Sequence, residues 1–294
     1  MGRNKTMHNE KKLGGKRRMT PRKRLGRVLL YVLMLLVAAM YLLPFLWMVS
    51  TSLKTPAQVF VNPPEWIPNP VQFGNYADAV HRIDYLRYTL NTLFVAVLSV
   101  LGSVISSSMV AYSLSKIRWA LRGPIFAIVL ATMMIPYQVT MIPLYIIWRN
   151  LGLMGSYWPL IIPCFLGGSY YVFLLRQFYM TIPDSLMEAA TIDGANEGRI
   201  YVSILLPLIR PALTSVGVFT FLAAWSDFLG PLLYINRADM YTLSLGLYGY
   251  VSEHSVEWHL LMAASVIFVV PIVILFFFAQ KQFIEGITVT GMKG

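Results

Sequence analysis

The chain has 294 residues, of which 57% are hydrophobic and only 13% charged, and its mean hydropathy is +0.61. Its charges are gathered in short islands, which argues against a water-soluble enzyme and for a chain that crosses a membrane several times. The formal net charge of +11 is not a nucleic-acid signature, because 11 of the 24 basic residues lie in the first 27, beside an apolar run, where they suit anionic lipid and set orientation.

In chain order, residues 1–27 read as a basic, largely disordered cytoplasmic tail. The basic stretch and the apolar run after it are both too long for a cleavable signal, and no A-x-A site follows. The first span is predicted over Val28–Val49, so residues 28–85 hold the first transmembrane helix and an external loop. That loop runs from about Thr51 to Arg87 and carries Pro63, Pro64, Pro68 and Pro70 with Trp66 and Tyr76. Proline with aromatics predicts an ordered, extended surface.

Residues 86–280 are the predicted transmembrane core, with spans over Leu90–Leu114, Pro124–Trp148, Tyr157–Leu175, Ala212–Ile235 and Leu260–Ala279. Each approaches the roughly 20 apolar residues that a bilayer requires. The fold class is an all-α polytopic membrane protein with six transmembrane helices. Gly102, Ser103, Ser106, Ser107, Ser108 and Ser113 give the second span a small-residue face suited to close helix packing. Pro136, Pro143, Pro163 and Pro231 predict bends in the third, fourth and fifth spans, tolerated where neighbouring helices cover the freed backbone groups.

Residues 183–211 interrupt this apolar pattern. Ser185 and Glu188 have capping-box spacing, and Gly194 supplies a left-handed stop. Between them Leu186, Met187, Ala189, Ala190 and Ile192 make a small apolar face on a helix of about nine residues, roughly 14 Å long. Such a helix cannot span a membrane and is marginal alone, so it needs a partner surface. In the fifth span, Asp227 is an intramembrane carboxylate beside Trp225. It either satisfies backbone groups freed near Pro231 or lines a wet cavity.

The remaining signals are exclusions. The single Cys164 rules out a disulfide within the chain, and the four histidines are scattered, so no metal site is predicted. The absence of a G-x-x-x-x-G-K-[ST] run means the chain does not cradle ATP, and no catalytic triad is evident, so it is read as no enzyme and as holding no cofactor of its own. Nineteen of the 24 basic residues fall on the side that holds both termini and residues 183–211, which makes that side cytoplasmic.

Glu188-Ala189-Ala190, Asp193-Gly194-Ala195, Leu206-Pro207 and Pro211, in that order, resemble the EAA loop of ATP-binding-cassette importer permeases. Trp225-Ser226-Asp227-Phe228 is similar to a W-N-D-F pattern of sugar-importer permeases, with Ser226 in place of Asn. The ending, with Gly286, Ile287, Thr288, Gly291, Met292, Lys293 and Gly294, resembles that of the carbohydrate branch, the maltose and multiple-sugar type, and within it the shorter permease. Ile287, Thr290 and Met292 depart from its usual residues. The resemblance covers roughly residues 28–294.

It implies a type I importer permease in the cytoplasmic membrane. The partners it implies are a second homologous permease, two cytoplasmic ATPase subunits that bind ATP and magnesium, an external substrate-binding protein and a sugar. Glu188, Ala189, Ala190, Asp193 and Gly194 would couple to the ATPase, and Gly291, Lys293 and Gly294 of the tail (residues 281–294) would enter between the ATPase subunits. Asp227 and Trp225 would line the substrate pathway. The external loops, including Arg237–His259 with Tyr241, Tyr248 and Tyr250, would meet the binding protein. Import of another small polar solute is the nearest alternative. An ion-coupled secondary carrier has no use for such a loop and normally places more ionisable groups in the membrane.

Overall fold

A computed structural model describes residues 21–251 and 256–291. They form fourteen α-helices with short 3-10 turns, one π segment and, among the described residues, a single isolated β-bridge between Val251 and Val256. The chain divides into two compact units after Trp47.

The first unit is helical from Pro21, seven residues inside the stretch read from sequence as a disordered tail, and residues 1–20 lie outside the description. This helix, α1 (Pro21–Ser52), contains Pro44 without ending there. Its last turn belongs to the second unit.

The second unit continues through a 3-10 turn (Pro56–Phe60) and α2 (Gly74–Arg82). The segment expected to be wholly extended therefore holds a helix, because Gly74–Arg82 has amphipathic spacing with Asn75 and Ala79 turned inward. Then come α3 (Tyr85–Ser115), α4 (Arg122–Thr132), α5 (Tyr137–Asn150), α6 (Trp158–Ile161) and α7 (Ser169–Thr181). They are followed by α8 (Ser185–Ile192), α9 (Glu197–Arg199), α10 (Leu206–Leu208), α11 (Arg210–Ser226), α12 (Leu229–Tyr234), α13 (Leu243–Gly246) and α14 (Trp258–Gly291).

Among the described residues, four stretches are long and apolar enough to cross a bilayer: Arg24–Ser52, Tyr85–Ser115, Trp158–Thr181 and Trp258–Gln280. Two bent pairs, α4 with α5 at 99° and Glu197–Leu208 with α11 at 78°, bring the number to six if each pair is one crossing. The predicted third span, Pro124–Trp148, is thus not straight. Its break falls where Pro136 sits in extended conformation ahead of α5. The predicted fifth span, Ala212–Ile235, is also not continuous: α11 ends at Ser226, and Asp227 is extended before α12 begins. Ahead of α11 a π segment (Ile200–Leu205) and Pro207 interrupt the regular hydrogen bonds, Pro211 occupies the first turn of α11 itself, and the chain turns at Ile209.

Against these interruptions α3 is 31 residues without a proline, and its two ends sit in two cores. One core gathers Ala111, Tyr112 and Leu114 of α3 with Leu175 and Tyr179 of α7, Ala190 of α8, and Ala212 and Val216 of α11. The other gathers Tyr85 and Tyr88 with Ala79, Trp225, Tyr250 and Ala263.

Midway, Ser106 repairs the broken stretch between α6 and α7. Its hydroxyl faces the carbonyls of Gly102 (2.7 Å) and Cys164 (3.0 Å) and accepts from the Gly167 N–H (3.2 Å). That stretch is a 3-10 turn ending at Gly167, whose φ is +78°. The small-residue face predicted for the second span is used here. A Cβ on Gly102 would lie 2.5 Å from the Phe165 ring, so only glycine lets the turn seat against α3.

Gly102→Ala is therefore expected to destabilise the detergent-solubilised protein by about 1–3 kcal/mol, the usual range for overpacking. Trimming the ring in Gly102→Ala/Phe165→Leu is expected to recover most of the loss. Thermal unfolding of the two variants beside the parent measures both effects, and an unshifted midpoint for Gly102→Ala contradicts the packing assigned to Phe165.

Candidate functional site: an exposed short helix and an apolar cavity joined by one span

The segment 183–211 folds around α8. The residue preceding its first turn is Asp184, and Ser185 is already helical, so the Ser185–Glu188 capping box does not form. The reason lies in α3. The Lys116 ammonium, only 4% exposed, donates to the Asp184 carboxylate (2.6 Å) and to the Ile182 carbonyl (2.5 Å), drawing the chain inward one residue early. The hydrogen bond from Lys116 holds the Asp184 carboxyl below the usual carboxylate range. A depressed carboxyl pKa means the bond contributes fully above the unfolded value, about 3.9, and is lost only as pH falls through the lower folded value. The anchor is therefore intact at neutral pH.

The other end of α8 closes as the sequence predicts. Gly194 has φ +80°, its N–H bonds the Thr191 carbonyl (3.0 Å), and the Ala195 N–H bonds the Ala190 carbonyl (2.9 Å). These two bonds are a Schellman closure, and Ala190 and Ala195 share the same core, as that motif favours. Asn196 then caps α9 by accepting from the Arg199 N–H (2.9 Å).

The expected apolar face divides in two. Ala190 and part of Met187 pack inward, while Leu186 and Ile192 are exposed, Ile192 by 87%. Glu188, Ala189, Asp193 and Gly194 share the exposed surface, and Ala190 does not. Glu188 stands in the first turn, where a carboxylate complements the helix dipole, and among the described residues its side chain makes no hydrogen bond or ion pair. Leu186, Ile192 and the Glu188 carboxylate thus share the outward side of a helix whose other side is packed. Of the tail residues proposed from sequence, Gly291 ends α14, and Lys293 and Gly294 lie outside the described residues.

A second feature lies farther along α3. A cavity of about 530 Å³ opens between α3, α5, α11 and α12. Its walls are mainly apolar, with Ser99, Ser103, Tyr137, Tyr234, Thr242 and Asp227 supplying polar groups. The Thr242 hydroxyl is 1% exposed and, among the described residues, has no hydrogen-bond partner. Asp227 meets the cavity and also accepts from the Gly230 N–H (3.0 Å), so it starts α12 where the predicted fifth span breaks. Gly230 has no room for a side chain beside that carboxylate. Trp225, paired with Asp227 in the sequence reading, points elsewhere. It is 1% exposed, stacks on Phe221 at 5.4 Å and donates from its indole to the Phe268 carbonyl (3.2 Å).

Sequence reasoning missed the residues that hold α8. Tyr112 of α3 donates to the Glu197 carboxylate just beyond the Gly194 turn. Its ring lies 5.2 Å from Tyr201 and 6.0 Å from Tyr179, and both those hydroxyls meet Ser108 (3.0 and 2.9 Å). The available signal was periodic: Ser108 and Tyr112 of α3 and Lys116, which caps it, recur every four residues on one side.

A family model described as "Binding-protein-dependent transport system inner membrane component" matches residues 102–289. The arabinooligosaccharides transport system permease protein AraQ of Halalkalibacterium halodurans is 37% identical over 210 residues, covering 71% of this chain and 75% of that protein. AraQ of Bacillus subtilis is 31% identical over 281 residues, covering 94% and 99%. In fold, the chain matches a crystal structure of a bacterial ABC transporter involved in the import of the acidic polysaccharide alginate. The TM-score is 0.79 at 24% identity, covering 90% of this chain and 98% of that one.

The geometry of the turn makes its own prediction. Gly194→Val places a β-branched residue at positive φ, whereas Asn tolerates that region. The site next to it is open, so strain alone decides. Gly194→Val is expected to reduce recovery of a co-expressed ATPase subunit in pull-down while Gly194→Asn largely retains it. Equal recovery for both variants contradicts a positional role for the turn.

Proposed function

The chain belongs to the family of binding-protein-dependent transport system inner membrane components, and from that premise we propose that it is a permease subunit of an ATP-driven sugar importer. It forms half of the translocation pathway, and a second, homologous permease forms the other half. Two cytoplasmic ATPase subunits bind ATP and magnesium, and an external binding protein delivers the sugar. The reading rests chiefly on α8: a short helix with exposed Glu188, Ala189 and Ile192, held between long apolar segments, as a docking element requires.

The distribution of basic residues, 19 of 24 on one side, supports a cytoplasmic α8 and cytoplasmic termini. The partly polar cavity and the unpartnered Thr242 hydroxyl suit a ligand rich in hydroxyls, with Asp227 as an acceptor. Gly291, Lys293 and Gly294 remain candidates for an ATPase contact. The test is reconstitution of the chain with its partner permease, ATPase and binding protein, using arabino-oligosaccharides as the first probe. ATP-dependent uptake that requires the binding protein supports the proposal. Uptake driven by a proton or sodium gradient without ATP overturns it.

A sharper outcome concerns Glu188. It makes no bond within the described chain, so Glu188→Ala forfeits only its interaction with the helix dipole, about 0.3–1 kcal/mol, and insertion is expected to persist. Uptake is expected to fall by about fivefold or more, the scale of a typical coupling free energy. Parental uptake by Glu188→Ala in vesicles contradicts the role given to it.

A further inference from the structure

Two of the anchors that fix α8 come from one side of the end of α3: Tyr112 within the helix and Lys116, the residue that caps it. Lys116 holds the chain just before α8, through Asp184 and the Ile182 carbonyl. Tyr112, one turn earlier on α3, holds the chain just after α8, through Glu197. The residues are four apart and therefore stacked along the same stripe. Ser108, a further turn along, gathers the hydroxyls of Tyr179 on α7 and Tyr201 on the π segment. Toward its other end the same helix carries Ser99 and Ser103 into the wall of the cavity. From Ser103 to Tyr112 the distance along an unbroken helix is about 14 Å.

The elements around α3 are interrupted. The stretch joining α6 to α7 is a 3-10 turn, α4 and α5 meet at 99°, and α11 is approached through a 78° turn. Helices α7 and α11 also run unbroken from cavity-lining residues (Tyr171, and Thr220 with Ala223) toward the core that receives Ala190, but among the described residues neither gives a side-chain hydrogen bond to the chain on either side of α8.

We infer that Tyr112 and Lys116 are positioning residues that clamp the exposed helix α8 to α3 at both ends, so that α8 and the cavity wall of α3 move as one body. Neither residue touches the exposed face of α8 or the cavity, and neither is part of the motif from which the docking role was read. Their work is to transmit displacement. Without the clamps α8 keeps its Schellman turn and the apolar contact of Ala190 with the core at the end of α3, but no polar side chain fixes the chain before or after it. A push on its exposed face is then absorbed locally.

The Tyr112–Glu197 contact separates this role from packing. Tyr112→Phe removes only the hydroxyl and leaves the ring against Tyr179 and Tyr201. Glu197→Gln keeps an acceptor oxygen, and Glu197→Leu removes it. The inference rests on the transporter reading above. Its test therefore uses the purified complex with partner permease, ATPase and binding protein, and reads sugar transported per ATP hydrolysed.

Tyr112→Phe and Glu197→Leu are each expected to lower that ratio by about fivefold, with the complex recovered in parental yield. Glu197→Gln is expected to retain it. Because one bond is removed in each case, the double variant Tyr112→Phe/Glu197→Leu is expected to be no worse than either single variant. A parental ratio in both single variants overturns the clamp, and so do losses that multiply in the double variant. If the parental complex itself shows no ATP-coupled transport, the function proposed for the chain fails instead.

Discussion

A bilayer has no water to satisfy an exposed peptide group, so every interrupted helix within it must find its missing hydrogen bonds in a neighbour. In this protein much of that duty falls on α3. Ser106 meets the Cys164 carbonyl and the Gly167 N–H where the turn after α6 loses its helical bonds. Arg176 of α7 donates to the Leu114 carbonyl at the end of α3 (3.1 Å) and lies 3.9 Å over the Phe126 ring of α4. Thr92 accepts from the Leu243 N–H (2.7 Å) where α13 begins. One continuous helix thus allows its neighbours to be broken, and the breaks make room for the cavity and for α8.

The same arrangement explains why the cavity and the exposed helix lie apart. The cavity needs polar groups facing inward in an apolar wall, which α12 provides by starting afresh at Asp227. The exposed helix needs a carboxylate and apolar groups facing outward, which α8 provides because only Ala190 and part of Met187 turn toward the core. Breaks in the backbone, rather than unusual side chains, create both surfaces. The link between them is α3, a stiff element whose two ends are set in separate cores.

Much of this was legible in the sequence where one physical cause acts locally. Apolar runs near bilayer length gave the spans, and Gly194 gave the end of α8 because a left-handed turn is a local requirement. The start of α8 was misjudged because Lys116, some seventy residues away in sequence, outweighs the local Ser185–Glu188 pattern. The prolines pointed to bends, and two of them each fall at one: Pro136 at the break ahead of α5 and Pro163 in the 3-10 turn after α6. Pro44 and Pro271 lie inside long helices that continue, whereas the 78° turn falls at Ile209, between Pro207 and Pro211. Asp227 was recognised by its cost in a membrane, but its neighbour Trp225 turned into a core assembled from distant elements, including α2, α3 and α14. The tyrosine cluster was invisible because its members come from three elements, and only the spacing on α3 hinted at it.

The claim on which the account turns is that α3 and α8 move together. It is tested most directly by the distance between spin labels at Met109→Cys and Thr191→Cys, both exposed positions, with the single native cysteine replaced as Cys164→Ser. Measured in the assembled complex without nucleotide and again with ATP trapped, the distance distribution is predicted to keep the same centre and width. A shift of a helical turn, about 5 Å, or a marked broadening in either state contradicts the account, because α8 would then move independently of the helix that walls the cavity.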